Sequence, residues 1–139
     1  MKLLLDTNVI LDYLGVNEGF GDIAEAIIDL AISGEAIELV SASAITDIYY
    51  VAYRRLKDRK KAISLISDMR SYIHILPVTD RDISVAIDRN WEDFEDAVQY
   101  TVAEANGVDC IITRNPKDFE ENAISVFTPK QFLEEFWKV

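Results

Sequence analysis

Five aspartates of this chain, Asp6, Asp47, Asp93, Asp96 and Asp118, carry oxygens of the kind that bind hard divalent cations. Asp6 directly follows the apolar run Lys2-Leu3-Leu4-Leu5. Asp118 closes the stretch Thr113-Arg114-Asn115-Pro116-Lys117-Asp118, which follows the apolar Cys110-Ile111-Ile112. Asp47 falls about one turn into a helical pattern whose members Ala44, Ile48 and Val51 are apolar, a row poorly suited to open solvent. Asp96 stands in the first turn of another helical pattern, and Asp93, three residues earlier, shares its face. Carboxylates gathered within a few ångströms raise one another's pKa and resist losing water. A divalent cation removes that cost, and Mg²⁺ or Mn²⁺ suits oxygen ligands. Such an ion lowers the pKa of a water and stabilises charge on a phosphodiester; two ions about 3.5–4 Å apart serve the attacking and leaving oxygens together. Asn8, Thr113 and Asn115 add neutral groups that can orient water or a ligand, and the Arg114 fork matches a phosphate oxyanion.

These side chains work together only if their elements bring them to one rim. Lys2–Leu5 reads as a strand buried on both faces, and Val9–Leu14 as a helix. A loop punctuated by Gly15, Gly19 and Gly21 leads to a helix over Ile23–Ile32, ended by Gly34. Ile37–Val40 is the second strand, and Ser41-Ala42-Ser43 caps a helix over Ala44–Leu56. A further helix spans Lys60–Tyr72, and a strand spans Ile73–Val78. Thr79 with Asp82 forms a capping box for the next helix, and Asp93–Asn106 is a helix closed by Gly107. Cys110–Ile112 and Ile124–Phe127 complete the strands, and Thr128-Pro129-Lys130-Gln131 opens the last helix. Strands alternating with helices predict an α/β architecture with a mainly parallel sheet covered on both sides. Ligands in such folds bind outside the carboxyl ends of the strands, where Asp6 and Asp118 lie if their strands are neighbours.

Composition sets the outer bounds. A chain of 139 residues, half of them apolar, fits one domain over residues 1–139 with an adequate core. The single cysteine, Cys110, suits a buried thiol in a reducing compartment. Asp6 interrupts the first apolar run, unlike a signal peptide, and no stretch has the roughly 18 apolar residues of a membrane helix, so a cytoplasmic protein is expected. The net charge of -11 opposes nucleic-acid binding in general. The basic residues are unevenly spread, however: six of the fourteen Lys and Arg fall between Arg54 and Lys61. That segment reads equally as a solvated helix end or an RNA track. Tyr49, Tyr50 and Tyr53 read as core or subunit interface rather than as stacking platforms, His74 as structural, and Trp91 and Trp137 as packing anchors.

Taken singly, Asp6 reads as a helix cap, Asp96 and Asp93 as ordinary acids at the positive end of a helix dipole, and Asp118 as a turn residue. The joint pattern points elsewhere. The stretches LLLDTNVILDYL, SASAITDIYYVAYR and DFEDAVQYTVAEANGVDCIITRNPKDF resemble the PIN-domain superfamily, particularly VapC-like toxins of bacteria and archaea. The resemblance implies a three-layer α/β/α sandwich and a Mg²⁺- or Mn²⁺-dependent endoribonuclease leaving 5′-phosphate and 3′-hydroxyl ends. It also implies an RNA substrate, frequent homodimers and often a cognate antitoxin. By position the family's four acids are Asp6, Asp47, Asp96 and Asp118, and the polar residue near the last acid is Thr113 or Asn115. Asp47 departs from the pattern, since the second acid is more often the longer glutamate; the part of Asp93 beside Asp96 is left open. The rival readings are a catalytically silent PIN-fold module binding RNA or protein, and a metal phosphatase acting on small esters.

Overall fold

The computed structural model describes residues 1–15 and 19–137. Among them five strands form one wholly parallel sheet: β1 (Lys2–Leu5), β2 (Ile37–Ser41), β3 (Ile73–Leu76), β4 (Cys110–Ile112) and β5 (Ser125–Phe127), ordered β3-β2-β1-β4-β5. Seven helices accompany it: α1 (Thr7–Tyr13), α2 (Gly21–Ile32), α3 (Ala42–Leu56), α4 (Arg59–Met69), α5 (Asp80–Arg89), α6 (Phe94–Ala105) and α7 (Pro129–Phe136). The α/β/α sandwich expected from the sequence is the fold observed.

The two-residue period of the strands sorts their side chains into two cores. Leu3, Leu5, Val40, Ile73, Cys110 and Ile112 face α1 to α4 and α7, while Leu4, Leu39 and Ile111 face α5 and α6. Leu3, Leu4 and Leu5 are fully buried, as an unbroken apolar run between two helical layers requires. The chain builds outward from β1 to β2 and β3, then returns across the opposite face to lay β4 on the other side of β1. The gap between β1 and β4 is therefore the switch point of the sheet, where diverging connections leave a crevice at the carboxyl ends.

Several boundaries moved for local reasons. Asp6 is the N-cap of α1, so that helix begins at Thr7 rather than Val9. Gly21 opens α2 instead of belonging to the preceding loop; residues 16–18 of that loop lie outside the described residues. β3 stops at Leu76 because Pro77 has no N–H to continue a ladder, and α4 ends at Met69 rather than Tyr72. Both anticipated capping boxes, Thr79 with Asp82 and Thr128 with Gln131, are formed. Gly107, at φ 64°, closes α6 in the left-handed region and turns the chain into β4. Cys110 is buried and unpaired, and Trp91 packs on Tyr100 and Phe119. Trp137 packs on Phe132, and His74 lies exposed on the edge strand β3. Tyr50 and Tyr53 are exposed, so neither is core.

One core residue runs against its surroundings. Glu38 lies on β2 between Leu3 and Ile73, fully buried, and neither carboxyl oxygen has a hydrogen-bond partner. Burial, then the charge of Asp29, pushes its pKa up to about 8. Between the unfolded value near 4.5 and that folded value, the native state holds a proton the unfolded chain has released. Stability therefore falls as pH rises through this window and levels off above it. Replacing Glu38 with Met is expected to raise stability at pH 7.5 by about 2 kcal/mol or more and to flatten this pH dependence. Denaturant melts between pH 5 and pH 8.5 test it; parallel curves for the two proteins would refute the assignment.

Candidate active site

The register of β1 against β4 sets the site. Leu5 pairs with Ile112, and Asp6 N–H extends the ladder by one bond of 2.9 Å to the Ile112 carbonyl. The Asp6 side chain thus leaves the sheet at the switch point, where four donors fix it. Thr7 N–H donates to Oδ1 at 2.7 Å and Gln99 Nε2 to the same oxygen at 2.9 Å. Thr113 Oγ1 donates to Oδ2 at 2.7 Å, and Asn8 Nδ2 reaches that oxygen at 3.3 Å. Thr113 and Gln99 are fully buried, so they act as an inner wall that orients Asp6. Asn8 Oδ1 accepts from Arg114 N–H at 3.2 Å, and Thr113 Oγ1 accepts from Asn115 N–H at 3.1 Å. The segment after β4 is thereby tied to the start of α1.

The second group comes from α6 and the 3-10 turn Pro116–Asp118. Asp93 caps α6 by accepting from Asp96 N–H at 3.0 Å, which sets the two carboxylates side by side. Asp118 approaches from the 3-10 turn, and Asp93, Asp96 and Asp118 each offer an oxygen within 4.8 Å of the others. These three share a cavity of about 270 Å³ with Asp6, Asp47, Asn8, Asn115 and Glu95. Burial, followed by the charges of Asp6, Asp93, Glu95 and Asp118, pushes the Asp96 carboxyl up to about 8. Glu95 is raised as well, first by desolvation, then by Asp47 and Asp6. Burial of carboxylates, compounded by crowding of like charge, is thus the site's main electrostatic feature.

The anticipated acids all open on this one cavity, with Asp93 inside the tightest group rather than beside it. Asp47 is exposed, contrary to the expectation that its row avoids solvent: α3 buries Ala44, Ile48 and Ala52, and Asp47 sits at the edge of that stripe. Arg114 turns away from the cavity to an ion pair with the buried Asp12, Nε to Oδ2 2.7 Å, and its guanidinium lies 4.2 Å from the Phe20 ring centre. Sequence reasoning passed over Gln99, Glu95 and Asp12. Gln99 and Glu95 were visible at i+3 and i-1 of Asp96, but nothing local separates such residues from an ordinary helix surface.

With the geometry in place, the likeness to known proteins is specific. A sequence model of the PIN domain matches residues 2–117. The chain belongs to the PIN-domain family. Ribonuclease VapC1 of Aquifex aeolicus is 30% identical over 138 residues, spanning 96% of this chain and 94% of that protein. Among solved structures, DNA-bound VapBC from Salmonella typhimurium superposes with a TM-score of 0.71 at 15% identity, covering 93% of this chain and 98% of that one. The sarcin-ricin loop cleaving toxin VapC20 of Mycobacterium tuberculosis gives 0.62 at 15% identity, covering 78% of this chain and 86% of that one. At such identities the structures speak to the PIN fold alone.

The PIN-domain site fits a hard divalent ion on its own chemistry. Its donors are carboxylate oxygens, three of them already close, and Gln99 Oε1 is buried nearby without a hydrogen-bond partner. With Asp96 protonated at neutral pH, an ion must displace that proton. Mn²⁺ binding at pH 7 is therefore expected to release about one proton, with less release as pH rises past 8. Calorimetry in two buffers of different ionisation heat measures this; a heat independent of buffer would show Asp96 already ionised.

Proposed function

We propose that residues 1–139 form one PIN domain acting as a metal-dependent endoribonuclease, the toxin of a VapBC-like pair. In this reading Mg²⁺ or Mn²⁺ is held by Asp6, Asp96 and Asp118 with Asp93 and Asp47. The observation that carries it is the convergence of five carboxylates, from β1, α3, α6 and the 3-10 turn, on one cavity at the sheet's switch point. The 30% identity to a ribonuclease over nearly the whole of both chains supports RNA as the substrate. The VapBC structures among the fold's neighbours support a cognate antitoxin as partner, and a homodimer fits the same reading. No helix of the described residues is long and apolar enough to cross a membrane.

A divalent ion, when bound, supplies Lewis acidity towards a water and towards a phosphodiester oxygen. The chain's own residues do the rest. Thr113, Gln99, Asn8 and the Thr7 amide hold both Asp6 oxygens in one orientation, so Asp6 need not reorganise during reaction. Asp96, buried and fixed by the first turn of α6, gives the cavity its floor. Asp47, Asp93, Asp118 and Asn115 are exposed and reach the open side, where a phosphate and a water can enter. No histidine serves as base, since His74 lies on the edge strand β3. Cleavage of the P–O3′ bond by water leaves a 5′-phosphate and a 3′-hydroxyl.

Asp6→Asn and Asp96→Asn are each expected to lower RNA cleavage at least 10³-fold with Mg²⁺ or Mn²⁺ present. A chelator should abolish wild-type cleavage, with recovery on adding back either ion. Thr113→Val and Gln99→Leu are expected to cost about 10–100-fold through weaker ion binding, while the fold is retained. A gel assay on a labelled RNA, beside hydrolysis of a generic phosphomonoester, reads all of these. Unimpaired RNA cleavage by Asp96→Asn would remove the acids from the mechanism, and activity on the monoester alone would favour a phosphatase.

A further inference from the structure

A second cavity, of about 360 Å³, adjoins the acidic one through Asn115, which lines both. Its wall is mostly apolar, from Phe20, Ile23 and Pro129, and it carries two cations, Arg114 and Lys130, with one anion, Asp12. Phe20 and Ile23 are 44% and 37% exposed, large apolar groups left open beside a polar site. Arg114 is held from two sides: its Nε pairs with the buried Asp12, and its guanidinium carbon lies over the Phe20 ring. Its backbone N–H is fixed by Asn8, a residue that also touches Asp6. The side chain is therefore held at Nε on the wall of this second cavity, which Asn115 joins to the acidic one. A planar fork held in advance is suited to a phosphate oxyanion. An apolar wall with an aromatic ring suits the face of a base.

We propose that this cavity is a nucleotide subsite, binding one unstacked base of a single-stranded RNA against Phe20, Ile23 and Pro129, with its phosphate on Arg114 and Lys130. Asp12 is a positioning residue, acting through Arg114. The inference rests on the ribonuclease reading for the identity of the chain bound, and it adds where the strand enters. With two cations against the single anion Asp12, this cavity opposes a polyanion less than the acidic cavity, which repels it until an ion is present. A base in duplex RNA cannot reach the wall without leaving its stack, so loops and single strands are favoured.

The test uses the cleavage-deficient Asp96→Asn protein with Mn²⁺ and a fluorescent 12-nucleotide single-stranded RNA of mixed sequence, followed by anisotropy. Phe20→Ala, at an exposed position, is expected to weaken binding roughly 5- to 100-fold. Arg114→Lys keeps the charge but loses the fork, and a comparable loss is expected. Lys130→Ala should reduce the slope of log affinity against log salt by about 0.7. Asp12→Asn should match Arg114→Lys, and the double variant should bind no worse than either alone, a non-additivity that general destabilisation would not produce. If Asp12→Asn does not fold, Phe20→Ala and Arg114→Lys decide the matter.

Unchanged affinity in both would overturn the subsite, as would equal affinity for the duplex of the same sequence. Wild-type cleavage assayed in parallel separates the two claims. Cleavage that persists while these variants bind normally leaves the nuclease standing without this subsite. Binding that depends on Phe20 and Arg114 without any cleavage keeps the subsite and removes the nuclease.

Discussion

Like charge held at close range is the constraint around which the rest of this molecule is arranged. Three carboxylates with oxygens within 4.8 Å of one another, and Asp6 close enough to raise Asp96, cost free energy in the folded state. That cost must be met by parts of the structure that do not themselves bind an ion. The sheet meets part of it by rigidity: β1 is buried on both faces, so the chain cannot let Asp6 swing outward without breaking the ladder bond to Ile112. The helix start meets another part. Asp93 and Asp96 lie where the amide N–H groups of α6 and its dipole favour negative charge. A cap and a cavity-lining acid thus reinforce each other, since the hydrogen bond that satisfies Asp96 N–H also fixes Asp93.

The topology explains why this crowding is possible at one place and not elsewhere. Parallel strands carry their carboxyl ends to one rim, and the order β3-β2-β1-β4-β5 makes the connections after β1 and β4 diverge there. Asp6 and Asp118 need only follow their strands to meet. Asp47 and Asp96 arrive by helices that pack on opposite faces of the sheet, so the cavity is closed from both layers. No single element could supply all five acids, which is why only Asp93 and Asp96 are close in sequence.

Much of this was readable before any coordinates, and the reason is that it is local. The run Leu3-Leu4-Leu5 has one sensible structure, two capping boxes announce their helices, Asp6 follows an apolar strand directly, and Asp118 lies shortly after another. What escaped was set by tertiary register. Asp47 was misjudged because helical spacing gives the buried stripe only to within about a residue, and Val51, one turn on, is only half-buried. Gln99 looks like any helical amide until α6 is laid across β1, when its Nε2 meets Asp6. Arg114 looked like a group aimed at phosphate, but its partner Asp12 is 102 positions away and buried, invisible to any local rule. Glu38 is the clearest case: within a short strand its carboxylate suggests a solvent face, yet that face is covered by α2.

The overall charge of -11 need not decide how such a molecule meets RNA, because fields in salt water are short-ranged. The Debye length at physiological ionic strength is about 8 Å. The basic segment from Arg54 to Lys61 begins seven residues beyond Asp47 on α3, roughly 10 Å along the helix axis, so it is largely screened from the acids. Arg54 is in addition engaged with the ring of Tyr50. The charges that a phosphate feels at the point of reaction are those within a few ångströms: the carboxylates and any ion they hold. An ion in the acidic cavity lowers the local negative charge without altering the surface elsewhere. An acidic body whose one recess can take up an ion opposes a polyanion least at that recess and repels it over most of the remaining surface. Under this electrostatic arrangement, a negative net charge favours specific over non-specific binding.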